Sequence, residues 1–251
     1  MAKRILQAPE HLAGAFDISG FRAALLAWFA ANARDLPWRR TLDPYQVWIS
    51  EIMLQQTQME RAVAFFERFV ARFHDAASLA AASEDEVLKL WEGLGYYSRA
   101  RNLQKAARLI MERHGGAFPR SHAEVRALPG VGPYTAGAIM SVAYDEPRPA
   151  VDANVERVLC RVLDIAEPLA VPAVKRRILA AAWELTPPKQ EGGGRAFSQA
   201  MMELGALVCG PRRTDCSGCP VARHCLARAR ETVSQRPAPG PKVELVRIHM
   251  A

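Results

Sequence analysis

The chain has 251 residues, 50% of them apolar and 24% charged, enough to bury a sizeable core and too apolar for a disordered or fibrous protein. No apolar run is long enough for a signal peptide or a bilayer span, which sets aside secreted and membrane-embedded classes and predicts a cytoplasmic protein. The formal charge of +7 favours a polyanionic partner, because each phosphate neutralised by Lys or Arg releases condensed counterions.

Apolar residues recur at helical spacing along nearly the whole chain, first in Phe21-Arg22-Ala23-Ala24-Leu25-Leu26-Ala27-Trp28-Phe29 and again in Val87-Leu88-Lys89-Leu90-Trp91. Breaks at Pro37, Pro44, Gly93, Gly95, Gly115-Gly116, Pro129 to Pro133, Pro147 to Pro149, Pro187-Pro188 and Gly192 to Gly194 predict about ten helices with short connections. The predicted fold class is therefore all-α. Between two helical segments lies Leu128-Pro129-Gly130-Val131-Gly132-Pro133-Tyr134. Its glycines allow a tight turn and close approach of backbone N–H groups to a phosphate, with the next helix N-terminus adding its dipole. A Gly-Pro turn between helices also occurs as plain punctuation, so the motif alone decides nothing.

Further along, Cys209-x6-Cys216-x2-Cys219-x5-Cys225 places four thiols in one short stretch. In a reducing compartment these read as metal ligands, and soft thiolates suit either zinc or a four-iron, four-sulfur cluster. Cys160 stands apart in an apolar helical run and reads as a core residue. The composition then changes at Arg236-Pro237-Ala238-Pro239-Gly240-Pro241 to that of a stiff linker. Beyond it, Val243 to Met250 alternates in places with the period of a strand, which reads either as the start of a further domain or as a frayed end.

Hairpin and cysteine loop occur in order, with Val151-Asp152-Ala153-Asn154-Val155-Glu156-Arg157 between them. Together they resemble the helix-hairpin-helix DNA glycosylases that carry an iron-sulfur cluster, the group of endonuclease III and the MutY-type adenine glycosylases. Leu36-Pro37-Trp38-Arg39, Trp48 to Gln58, Gly93 to Leu103 and Phe197 to Ala206 are similar to the MutY branch, and the likeness runs from about Phe21 to Arg230. It implies a helix-hairpin-helix glycosylase fold of two lobes. Residues 1–39 with 148–235 would form a lobe carrying the cluster loop (209–225), and 40–147 a six-helix barrel with the hairpin at 122–146; 236–251 would be linker and the possible beginning of a C-terminal domain.

The resemblance also implies the cofactor, a 4Fe-4S cluster held by Cys209, Cys216, Cys219 and Cys225. Its partner would be double-stranded DNA containing a mispair, bound by a monomer at the nucleoid. The reaction would be hydrolysis of the N-glycosidic bond of adenine opposite 8-oxoguanine or guanine. Base expulsion needs a proton for the leaving base and a negative charge facing the cationic sugar, roles that carboxyls of different pKa can divide. Glu51, among Val47, Trp48, Ile49, Ile52, Met53 and Leu54, is the candidate acid, since apolar surroundings favour the protonated form. Asp152, preceding a helical run, is the candidate anion, kept ionised by capping N–H groups and the helix dipole. Asn154 matches a neighbouring active-site amide.

Tyr134 stands where strand-nicking relatives place a lysine, and a phenol cannot form a Schiff base, so no lyase step is expected and the hydroxyl would instead hydrogen-bond near the reacting sugar and Asp152. Gln55, Gln56 and Thr57 resemble a wedge into the duplex; Trp38, Arg39 and Leu54 resemble walls of the base pocket, and Gln199 lies in a matching segment. Gly130 and Gly132 would grip the strand. Tyr96, Tyr97, Arg99, Arg101 and Lys105 form a segment that either contacts the DNA backbone or is a solvated basic face. Ala153 departs from the glycine usual in MutY enzymes and points toward thymine or uracil opposite guanine as an alternative substrate. A non-catalytic iron-sulfur DNA-binding protein is the alternative of a different class.

Overall fold

A computed structural model describes residues 16–240, and the strand-like segment 243–250 lies outside them. The described residues form thirteen α-helices and no β-strand beyond one bridge between Cys209 and Thr214. In chain order they are α1 (Ile18–Asn32), α2 (Pro37–Thr41), α3 (Pro44–Leu54), α4 (Met59–Arg72), α5 (Ala76–Ala81), α6 (Glu84–Trp91), α7 (Ser98–His114), α8 (His122–Ala127), α9 (Pro133–Val142), α10 (Ala153–Val162), α11 (Pro172–Leu185), α12 (Arg195–Leu207) and α13 (Leu226–Ala229). Among the described residues no helix is long and apolar enough to cross a membrane.

Local chemistry sets where these helices begin. Asp43, Asp75, Ser83, Ser121 and Asp152 each accept a backbone N–H at a helix start, and Ser83–Glu86 and Ser121–Glu124 close reciprocal capping boxes. α7 stops at Gly115, whose φ of 59° no β-branched residue would tolerate.

Packing gathers the helices around two apolar cores. Trp48, Phe66, Phe69, Trp91, Leu103 and Ile139 lie in the first, built from α2 through α9. Phe21, Leu25, Leu159, Leu185 and Leu204 lie in the second, with Cys160 fully buried among them. The chain passes into the first core at Leu36 and leaves it after α9. At that return, a Cβ on Gly137 would stand 2.7 Å from the Pro149 carbonyl oxygen, so only glycine lets α9 lie against the segment leading to Asp152. Arg195 of α12 reinforces the junction by donating to the carbonyls of Val142 and Ala143 at 2.6 and 3.2 Å, where the end of α9 has no partners of its own.

Candidate active site

α3 is apolar on every side, which obliges it to run through the core rather than over it, and Glu51 is carried inside with only 6% of its surface exposed. A cavity of about 370 Å³ opens beside it between the two cores, within the usual range for small-molecule pockets. Glu51 and Tyr134 reach this cavity from the first core, and Asp152 and Asn154 from the start of α10. Burial pushes the Glu51 carboxyl up to about 7, and the charge of Asp152 acts in the same direction; a hydrogen bond from Tyr134 and the charge of Arg39 oppose them. The Tyr134 hydroxyl donates to Glu51 Oε2 at 2.8 Å and not to Asp152 as expected, because α3 brings Glu51 within its reach, and burial keeps this phenol neutral by raising its pKa further.

Asp152 caps α10, accepting the Val155 N–H at 2.8 Å on Oδ1 and the Asn154 amide at 2.8 Å on Oδ2. Capping was expected to hold this carboxyl low. Instead its pKa is raised, because dehydration between the two cores outweighs the N–H bonds and the charge of Arg157 that favour the anion. Asn154 is itself held from behind. Arg157 donates to Asn154 Oδ1 at 2.7 Å, to the Gly205 carbonyl at 2.8 Å and to the Cys209 carbonyl at 2.8 Å. A continuous set of hydrogen bonds therefore runs from the capping aspartate to the cysteine loop.

Trp38, Arg39, Leu54, Gln55, Gln56, Thr57 and Gln199 also line the cavity. Trp38 does so while packed edge-on against Phe66, so its core and cavity roles coincide. Sequence reasoning missed Glu203 and Arg34, which complete the wall. The Arg34 guanidinium grips Glu203 at 2.7 and 2.8 Å, the Arg34 backbone N–H adds a bond of 3.1 Å, and Arg39 donates two more at 3.2 and 3.4 Å. Burial alone would raise Glu203, but these bonds and the charge of Arg39 prevail and hold it at about 2, permanently ionised. The available signal was a lone carboxylate in the apolar face of α12, four residues after Gln199, the same pattern that marks Glu51.

Tyr96, Gly130 and Gly132 are not among the cavity's lining residues. Gly130 adopts φ +81° in the turn between α8 and α9, where a Cβ would press on Asn102, and Gly132 caps α9 with open space beside it. Gln56 is exposed with φ 56°, and Tyr96 is 63% exposed with φ 47°. The basic segment divides. Arg99 is buried against backbone carbonyls and is neither a solvated nor a phosphate-facing residue, whereas Arg101 is exposed and paired with Glu84.

Cys209, Cys216, Cys219 and Cys225 wall one small apolar cavity beside α10 and α12. Burial raises the thiols of Cys219, to about 11, and Cys225, and each is raised further by its neighbouring cysteines. Such thiols ionise only with a compensating cation among them. Among the described residues no three His, Cys, Asp or Glu side chains converge on a point suited to a single metal ion. Four soft sulfurs around one shared cavity are a donor set that fits either zinc or an iron-sulfur cluster.

Three comparisons bear on this arrangement. Residues 49–188 match the family model described as HhH-GPD superfamily base excision DNA repair protein. The chain is 43% identical over 233 residues to the adenine DNA glycosylase of Homo sapiens, covering 89% of this chain and 42% of that protein. It is 38% identical to the adenine DNA glycosylase of Buchnera aphidicola subsp. Schizaphis graminum, covering 82% of this chain and 59% of that one. It thus spans about half the length of the curated relatives it matches. Among solved structures, a thermostable thymine-DNA glycosylase superposes with TM-score 0.76 at 28% identity, covering 85% of this chain and 97% of that one. An endonuclease III in a non-covalent DNA complex shares the fold at TM-score 0.69 and 23% identity, covering 85% and 96%. The chain belongs to the HhH-GPD superfamily of base excision DNA repair proteins.

Proposed function

We propose that this protein is a monofunctional DNA glycosylase that removes adenine mispaired with 8-oxoguanine or guanine from double-stranded DNA. The observation that carries the reading is that Glu51 and Asp152, brought from different cores, line one cavity of nucleoside-pocket size. The Tyr134 bond occupies Glu51 Oε2, so the carboxyl's proton resides on Oε1. From there it passes to a ring nitrogen of the extruded base as the bond between C1′ and the base breaks and its electron pair leaves with the base. The ionised form of Asp152, steadied by the Val155 N–H and Asn154, lowers the energy of the cationic sugar. Water then adds at C1′ and its surplus proton returns to the Glu51 carboxylate.

Arg34 and Arg39 occupy both oxygens of the buried Glu203, so this carboxylate fixes the Arg39 wall of the pocket and does not itself meet the base. The 43% and 38% identity to curated adenine DNA glycosylases outweighs the contrary hint of Ala153. With Tyr134 in place of a lysine, strand cleavage does not follow base release. We further propose that the four cysteines hold a 4Fe-4S cluster, which would cross-link the loop 209–225 into a rigid body against α10.

A glycosylase assay on duplexes carrying adenine opposite 8-oxoguanine, adenine opposite guanine, thymine opposite guanine and uracil opposite guanine tests the assignment. Alkali-labile sites at the adenine of the first two duplexes are expected. Release from thymine or uracil alone would give the substrate assignment to the alternative, and release from none would remove the enzymatic reading.

A further inference from the structure

Arg99, at the start of α7, buries its guanidinium with no carboxylate partner. Its acceptors are backbone carbonyls at two separate places, the end of α3 with the residue after it and the turn after α6, and the Thr57 hydroxyl at 3.5 Å. Nη1 donates to Ile52 at 3.0 Å, to Met53 at 3.2 Å and to Gln55, at the carboxyl end of α3. Nη2 donates to Leu94 at 3.0 Å and to Gly95 at 3.2 Å, before the exposed ring of Tyr96. The guanidinium also lies 5.2 Å from the Trp91 ring centre and 5.7 Å from that of Tyr96. Its Nε–H is buried without a partner. Burying a cation with an unmet donor is costly, and such a cost is tolerated where geometry matters more than stability.

Both loops contain a residue that holds a left-handed backbone without being glycine, Gln56 at φ 56° and Tyr96 at φ 47°. Such residues persist only where surrounding contacts fix them. Gln56 and Tyr96 are also the exposed tips of their loops. We infer that Arg99 is a positioning residue that ties the Gln55–Thr57 loop to the Gly95–Tyr96 turn, so that the two meet the duplex as one rigid edge and set mispair discrimination. This rests on the reading of the protein as a DNA glycosylase, and it locates discrimination partly in a side chain that touches no DNA. A planar fork can serve both loops at once; a lysine ammonium, one point with three donors, cannot span them.

The test is Arg99→Lys on the full chain, with two readouts. Hydrogen exchange of the free protein is expected to quicken in 55–58 and 93–97 together, with the cores unchanged. Affinity for a duplex holding 2′-fluoro-2′-deoxyadenosine opposite 8-oxoguanine is expected to fall about tenfold, while affinity for the fully paired duplex stays within about twofold. Gly95→Ala is the second variant, should the first not fold. Its Cβ meets no neighbour, but its φ of +72° displaces the carbonyl that Arg99 holds, so exchange should rise in the remote 55–58 loop. Exchange rising in one loop only, or discrimination unchanged while both loops loosen, overturns the inference. A wild-type protein that releases no base would instead sink the glycosylase reading, and the exchange data would still decide whether Arg99 couples the loops.

Discussion

The hydroxyl of Tyr134 donates to Oε2 of Glu51 at 2.8 Å, joining the helix of the hairpin to the helix that carries the acid. Through this contact, the turn that would grip a DNA strand and the group that would protonate a base are held in one register. It also tunes the acid, because a donor aimed at the carboxyl favours the ionised form and partly offsets burial.

Glu51→Gln is expected to slow base release by about a thousandfold while mispaired duplex is still bound, as befits loss of a general acid. Single-turnover release and a gel-shift titration on the same protein measure the two effects. Stability should move the other way. The folded carboxyl holds its proton up to about 7 and the unfolded one only to 4.5, so native stability declines as pH rises between those values. At pH 8 the neutral amide should therefore be more stable than wild type, by up to about 3 kcal/mol, as read from chemical denaturation.

The rate of base release should fall as pH rises through about 7, where Glu51 loses its proton. Tyr134→Phe removes a bond that lowers the carboxyl's pKa, so this decline should move to higher pH even though the rate plateau drops. A decline that shifts to lower pH in the variant contradicts the role given to the phenol.

Arg157→Gln would remove the guanidinium that holds Asn154 while itself bound to the Gly205 and Cys209 carbonyls, and so let the Asp152 carboxylate wander. Base release should slow between about tenfold and a hundredfold, the cost of a small misplacement at a reacting centre. The pH of half-maximal rate should stay with Glu51, which Arg157 does not touch.

Glu203→Gln would leave Arg34 and Arg39 facing each other in the cavity wall without their counter-charge. Unfolding free energy should drop by about 3 kcal/mol. Chemical denaturation of the variant and the wild type side by side measures the loss.

For the cysteine loop, the purified protein should be brown and contain about four irons per chain. Cys216→Ser should lower both the iron content and the melting temperature, and a colourless, zinc-loaded wild type would refute the cluster.

Much of the site can be read from residue pattern. Glu51 was legible because a run from Val47 to Leu54 that is apolar on all sides has to be buried, and a carboxyl inside it has few outcomes. The gathering of the four thiols around one cavity was legible because they stand within one short stretch of chain. The helix count was less so. α2, α5, α8 and α13 have four to six residues, too few for an apolar period to repeat, and among the described residues thirteen helices stand where about ten were expected.

What the sequence by itself determined is the all-helical class, the burial of Glu51 inside an apolar helix, the place of Asp152 at a helix start and the gathering of four thiols in one loop. Only the tertiary structure decided how they act on one another. It set the direction of the Asp152 shift, since the balance of lost water against capping bonds depends on what α3 and α9 place beside it. It also turned Arg99 inward and drew Arg34 and Arg39 onto Glu203. A charged residue in a sequence carries the same charge whether it faces solvent, a carbonyl or a carboxylate, and its work is settled by partners that the chain brings from far away.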